Sequence, residues 1–154
     1  MTQRVQLALN VRDIEEAIDY YGKLFGAEVN KRKPGYANFA IDQPPLKLVL
    51  FENPDAAERI NHLGVEVFDQ ADVAAATDRF VTAEIAGEQE IASTCCYATQ
   101  DKIWSTDPQG LRWEWYQVLE DSDSFFGEEP EVAESEETET TGCCGAESAA
   151  CCAG

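Results

Sequence analysis

Gln6-Leu7-Ala8-Leu9-Asn10-Val11-Arg12-Asp13 aligns with His62-Leu63-Gly64-Val65-Glu66-Val67-Phe68-Asp69, so the chain repeats itself. At the same offset Ala17 meets Val73, Phe25 meets Val81, and Ala27-Glu28-Val29 meets Ala83-Glu84-Ile85. A repeated supersecondary unit buries its apolar face by packing on its neighbour, which constrains the fold to two similar halves about a pseudo-twofold axis. A site built by both copies forms where they meet. Gln6 and His62 are polar residues at equivalent positions of otherwise apolar stretches, and are candidates for that site.

The first copy reads as βαβββ. Val5 to Val11 is strand-like, and Asp13 with Glu16 forms a capping box for a helix. Ile14, Ala17, Ile18, Tyr21 and Leu24-Phe25 keep helical spacing, and Gly26 supplies the stop. Ala27 to Arg32, Tyr36 to Ile41 and Leu46 to Phe51 read as strands separated by Pro34-Gly35 and Pro44-Pro45. The second copy starts with the strand Asn61 to Val67, followed by a helix from about Gln70 to Val81 capped by Asp69. Strand-like pieces follow at Glu84–Ile91, Tyr97–Ala98, Ile103–Thr106 and Arg112–Val118, with Ala92 to Lys102 the least regular stretch. The expected fold class is therefore α+β. Two modules, about 4–52 and 60–119, make one domain over residues 1–120.

Charge is unevenly spread. The net charge is −19, and residues 120–154 hold 11 of the 30 acids and no Lys or Arg. Such a balance argues against nucleic acid and anionic membrane surfaces as partners. No apolar run is long enough to span a bilayer, and no secretory segment follows Met1, so a cytoplasmic protein is expected. The acidic stretch 121–154 lacks core-forming periodicity and is expected to be a disordered tail. Truncation after Ser122 is accordingly expected to leave unchanged the rate, at saturating substrate, of any reaction the domain carries out.

The six cysteines are three adjacent pairs: Cys95-Cys96, Cys143-Cys144 and Cys151-Cys152. Neighbouring cysteines suit a disulfide framework poorly, because consecutive Cα atoms lie closer than the usual disulfide span. Adjacent thiols without further Cys or His nearby fit a trivalent, thiophilic centre that keeps one non-sulfur substituent. Cys95-Cys96 is expected on a loop or strand end at the mouth of the site. The tail pairs Cys143, Cys144, Cys151 and Cys152 are accessory thiols or parts of a solubilising tail.

His62 is the single histidine. Glu114 lies in Arg112-Trp113-Glu114-Trp115-Tyr116, where alternation allows two readings. Either both tryptophans face inward and Glu114 meets water, or the carboxylate is buried, where it needs a partner such as a divalent metal. Gln6, His62 and Glu114 together would offer O/N donors of the facial kind seen in non-haem Fe(II) oxygenases, with an amide in place of one imidazole. Tyr97, Trp104 and Trp115 read as core aromatics, with a pocket wall as their other reading.

These features resemble the vicinal oxygen chelate superfamily: the glyoxalase, bleomycin-resistance and extradiol dioxygenase fold. Arg4 to Val11, Lys33 to Ala40, Pro45 to Leu50, Asn61 to Val67 and Thr94 to Lys102 are similar to one branch of it. That branch contains organoarsenical carbon–arsenic lyases and related cadmium-induced proteins, and the resemblance covers roughly residues 4–119. It implies a cupped, partly open mixed β-barrel and Fe(II)- and O2-dependent cleavage of trivalent organoarsenicals such as methylarsonous acid. It also implies Gln6, His62 and Glu114 as Fe(II) ligands, and Cys95 and Cys96 as the arsenic-binding pair. A monomer or homodimer is expected. The rival reading is a thiol-based cadmium or metalloid sequestration protein without turnover. An extradiol ring-cleaving enzyme would need further active-site histidines. A glyoxalase-type isomerase would need a fourth ligand, and Lys47 to Leu50 offers no carboxylate or His.

Overall fold

The structure, a computed structural model, describes residues 3–127. The first half runs β1 (Gln3–Val11), α1 (Ile14–Phe25), β2 (Lys31–Lys33), β3 (Tyr36–Ile41) and β4 (Leu46–Glu52). The second runs β5 (Ile60–Val67), α2 (Gln70–Thr82), β6 (Gln89–Cys95), β7 (Ala98–Thr106) and β8 (Arg112–Asp121). Both are the βαβββ units that the repeat predicts. All eight strands form one sheet, ordered β2-β3-β4-β1-β5-β8-β7-β6. In each unit the first strand runs parallel to the last, and the units join where β1 pairs antiparallel with β5. The strand order on one side of that seam mirrors the other, and the sheet curls into the expected half-barrel.

The helices cover one face of this sheet. Leu9, Val11, Phe39, Leu48 and Leu50 pack with Ile14, Ala17, Ile18, Tyr21 and Phe25 of α1. In the second unit Val73, Ala76 and Phe80 of α2 meet Val65, Val67, Ile103 and Trp115. Residues between these apolar positions point to the other, concave face, because side chains alternate along a strand. Asp13 caps α1 by accepting from the Glu15 and Glu16 N–H groups at 2.9 Å. The Glu52 carboxylate of β4 accepts from Ile14 N–H at 2.8 Å and ties the helix start to the sheet. Gly26, at φ 60°, ends the helix in the left-handed conformation that glycine adopts without steric cost.

Three boundaries differ from expectation. The strand expected from Ala27 shrinks to Lys31–Lys33. The strand expected from Glu84 begins at Gln89, because Glu84 turns at φ 58° and Ile85 N–H still bonds Phe80 O at the helix end. The irregular stretch Ala92–Lys102 is a β-hairpin: β6 ends at Cys95, Cys96 and Tyr97 turn, and β7 begins at Ala98. Both turn residues have positive φ, 57° and 62°, the backbone of a two-residue type I′ turn that normally uses Asn-Gly. Among the described residues no helix is long and apolar enough to cross a membrane.

Candidate functional site

The concave face holds a cavity of about 480 Å³ at the seam between the two units. Strand register places three polar side chains there. Gln6 on β1 is paired with Gly64 on β5, and Gly64 with Glu114 on β8, so the three positions form one row. His62 precedes Gly64 by two on β5 and shares its face. Gln6 Nε2 lies 3.1 Å from His62 Nε2 and donates to Glu114 Oε1 at 2.5 Å. His62 Nε2 lies 3.2 Å from the same Glu114 oxygen. The three sequence-predicted residues therefore meet. Gly64 makes the convergence possible: a Cβ there would sit 2.9 Å from Glu114 Cγ and 3.0 Å from the Glu114 carbonyl oxygen.

Of the two readings of β8, the buried one holds: Glu114 is 4% exposed. Alternation left this open because both faces of β8 are covered. Trp115 faces α2, edge-on to Phe80 at 5.8 Å, while Glu114 and Tyr116 face the cavity. Burial opposes ionisation of Glu114. The neighbouring His62 ring, the Lys102 ammonium and the Gln6 amide outweigh it and hold the carboxyl below its usual range. Glu114 Oε2 is buried and accepts no hydrogen bond, although Lys102 Nζ lies 3.2 Å away.

This donor set fits a divalent cation. Among the described residues His, Cys, Asp and Glu alone form no cluster of three able to hold a metal, and the third donor here is the Gln6 amide. Tyr116 OH donates to Gln6 Oε1. Amide oxygen and nitrogen are assigned from such networks, and a half-turn of the Gln6 amide presents its oxygen to His62 and Glu114. The Tyr116 hydroxyl serves either orientation, since it donates and accepts. Tyr116 and Lys102 escaped the sequence reading. Tyr116 had a signal, two places after Glu114 on one strand face. Lys102 lay in a stretch without visible periodicity.

Cys95 and Cys96 line the same cavity, with their sulfurs 3.1 Å apart and both thiols free. The pair sits at a strand end and turn, as expected. The Cys96 thiol donates to the Cys95 sulfur, and with help from the Lys102 charge this brings the Cys95 thiol down to about 7. The same bond, with burial, pushes Cys96 far up. Once the pair has lost its first proton, the two sulfurs share the remaining one. Iodoacetamide should alkylate Cys95 in the metal-free protein with a rate midpoint near the value of about 7, against the ordinary 9.0. Mass mapping checks this, and equal labelling of Cys95 and Cys96 at neutral pH would contradict it.

Aromatic side chains wall the cavity. Trp104 stands edge-on to His62 at 5.4 Å, and Phe51 lies 5.6 Å from Tyr36 and 6.4 Å from His62. Of the three aromatics singled out in the sequence, Trp104 lines the cavity, Tyr97 packs with Tyr36 and Phe125 behind it, and Trp115 belongs to the α2 side. Residues 122–127 also belong here. Phe125 stacks edge-on against Phe51 and Tyr97, Phe126 bridges to Cys95, and Gly127 N–H bonds Thr94 O. The fold thus continues past the boundary expected at residue 120. Truncation after Ser122 should raise KM at least several-fold by removing the Phe125 wall, and truncation after Gly127 should not. Steady-state kinetics of the two variants decides, and equal KM values would show that the segment is inert. The disorder expected further on, and Cys143, Cys144, Cys151 and Cys152, lie outside the described residues.

Comparison with known proteins agrees with this architecture. The chain is 55% identical over 141 residues to the cadmium-induced protein CadI of Mycobacterium tuberculosis, covering 92% of each. It is 52% identical over 123 residues to a trivalent organoarsenical cleaving enzyme of Thermomonospora curvata, covering 79% of this chain and 82% of that one. Among solved structures, homoprotocatechuate 2,3-dioxygenase from Arthrobacter globiformis shares the fold. Its TM-score is 0.57 at 18% identity, over 81% of this chain and 38% of that one. Residues 3–115, the paired βαβββ units with their shared cavity, match the glyoxalase/bleomycin resistance protein/dioxygenase superfamily, and the chain belongs to it.

Proposed function

We propose that the chain is an Fe(II)- and O2-dependent enzyme that cleaves the carbon–arsenic bond of trivalent organoarsenicals such as methylarsonous acid. One observation carries this reading: a single cavity is lined by a vicinal dithiol and by three converging N/O donors. The 52% identity to a trivalent organoarsenical cleaving enzyme supports it. Gln6, His62 and Glu114 would hold the iron. When bound, ferrous iron supplies the activation of O2 toward a closed-shell organic group.

The chain's own residues capture and orient the substrate. The Cys95 thiolate attacks arsenic, forming one As–S bond as one As–OH bond breaks, and the departing hydroxide takes the Cys96 proton and leaves as water. Cys96, now a thiolate, displaces the second hydroxyl, which leaves as water with a proton from solvent. Arsenic stays trivalent, and its organic substituent is left inside the aromatic cavity. The dithiol fixes the reactant by two bonds, converting a bimolecular encounter into a positioned one. Trp104, Phe51 and Phe125 exclude water from the organic group. Overall, methylarsonous acid and one O2 contain the atoms of arsenous acid and formaldehyde, so the methyl carbon is oxidised and O2 is reduced.

Sequestration without turnover is the second reading, favoured by the similarity to CadI, whose name records induction by cadmium. The two differ in the fate of the organic group. Catalytic protein with Fe(II), a reductant and excess methylarsonous acid should yield arsenite and formaldehyde in equal amounts over many turnovers. Arsenic held at one per chain, with its methyl group intact, would favour sequestration.

A further inference from the structure

We propose that a directional chain of side-chain amides, Asn10 to Asn61, holds His62 in one tautomer and so presents its Nε2 lone pair to the cavity. The β1–β5 ladder carries a bulge. Ala8 pairs with His62 and Leu9 with Ile60, so Asn61 is an extra residue opposite no partner. Side chains of consecutive strand residues ordinarily point to opposite faces. A bulge re-aims one of them. Here it brings Asn61 Oδ1 to 2.8 Å from Nδ1 of its own neighbour, His62.

The hydrogen bonds behind Asn61 set which atom faces the ring. Asn10 Nδ2 donates to the Glu58 backbone carbonyl at 2.9 Å. A carbonyl only accepts, so the Asn10 amide cannot be reversed without losing this bond. Its oxygen therefore faces Asn61, and Asn61 Nδ2 donates to it at 3.0 Å. This leaves the Asn61 oxygen toward the ring, and Nδ1 must carry the proton. Two backbone-anchored contacts keep the relay in place: Asn10 N–H donates to Arg59 O, and Arg59 Nε donates to Asn10 O, both at 2.8 Å. Asn10 itself is 7% exposed, so water competes weakly for its amide.

The cavity side agrees. Gln6 Nε2 approaches His62 Nε2 at 3.1 Å, as an N–H donor approaches a lone pair. With the proton on Nδ1, His62 Nε2 and Glu114 Oε1 are two acceptors 3.2 Å apart, and the Gln6 amide nitrogen serves both. Asn61 and Asn10 are thus positioning residues. They touch neither substrate nor the reacting atoms, and they act through His62. A histidine whose other nitrogen donates to a fixed acceptor is a better and better-aimed ligand, and loss of such a partner typically costs about 10–100-fold in metal affinity. The inference rests on the metal reading of the site for its purpose, but its structural content is testable without metal.

His62 is the single histidine, so its ring nitrogens are assignable without ambiguity. In metal-free, 15N-histidine-labelled full-length protein, two-dimensional 1H–15N spectra at a pH where the ring is neutral should show the Nδ1–H tautomer. Asn61→Ala should give a tautomer mixture and bind Co(II), followed by its visible absorption, about 10–100-fold more weakly. Asn61→Asp, whose carboxylate can only accept, should keep the Nδ1–H tautomer. Asn10→Ala should partly release it, with thermal melting checking that the fold survives. An Nε2–H tautomer in the wild type, or an unchanged tautomer and Co(II) affinity in Asn61→Ala, would overturn the proposal. A wild-type protein with the expected tautomer but no Co(II) binding would support the relay and overturn the metal reading instead.

Discussion

Cys96→Ser should weaken capture of methylarsonous acid by on the order of 10²- to 10⁴-fold and leave Fe(II) binding unchanged. The first As–S bond makes the second intramolecular, and the two sulfurs already lie 3.1 Å apart. Serine keeps the shape of the turn but cannot form the second As–S bond, so the whole chelate advantage is lost. The serine hydroxyl can still donate to the Cys95 sulfur, so the loss lies in the missing second bond and not in Cys95 itself. Cys95→Ser should lose capture as well, because one sulfur cannot chelate arsenic and the thiol left behind is still pushed up by burial. Neither change touches Gln6, His62 or Glu114. Arsenic binding by equilibrium dialysis, beside iron content, separates the two functions. Full capture by Cys96→Ser would rule out the dithiol.

Gly64→Ala should remove most Fe(II) binding while the protein still folds. The added Cβ would meet Glu114 Cγ at 2.9 Å, the Glu114 carbonyl at 3.0 Å and Gln6 Cβ at 3.5 Å. Glu114 Cγ can rotate away, which moves the carboxylate out of the site. The backbone oxygen can yield only if β8 shifts against β5. Overpacking of this kind costs about 1–3 kcal/mol. The functional loss should be larger, since a displacement on the order of 1 Å costs about 100-fold where groups must converge. Titration with Fe(II) under anaerobic conditions, paired with a melting curve, measures both. A variant with unaltered iron affinity would mean that the row Gln6–Gly64–Glu114 does not form the metal site.

Much of this site was legible from the repeat. An offset alignment placed Gln6 and His62 on paired strands, and the seam between β1 and β5 is where a shared site had to form. Glu114 was only half legible, because alternation decides a face when one side of a strand meets water, and β8 meets α2 on one side and the cavity on the other. The hairpin holding Cys95 and Cys96 was hidden for a different reason. Its turn residues, Cys96 and Tyr97, carry none of the Asn or Gly that normally marks positive φ, and its β7 strand carries the buried polar run Gln100-Asp101-Lys102 shortly after the turn. Residues in sparsely populated backbone regions persist where the surroundings over-determine them. Here Cys96 and Tyr97 are held among Tyr36, Phe51 and Phe125. Phe125 was hidden by its neighbours: a short aromatic pair after acidic residues has no periodicity to read. The Asn61 bulge left no mark at all, since a single extra residue is visible only in the register of two distant strands.

One cavity should capture a trivalent organoarsenical through Cys95 and Cys96 and break its carbon–arsenic bond with O2 at a metal held by Gln6, His62 and Glu114. The direct measurement is to load the protein anaerobically with one equivalent of Fe(II) and one of methylarsonous acid, admit O2, and speciate the arsenic with time. Before O2, all arsenic should be protein-bound and still methylated. After O2, it should convert to arsenite with formaldehyde in equal amount, and protein lacking iron should convert none. Methylated arsenic that persists after O2 in the iron-loaded protein would contradict the account.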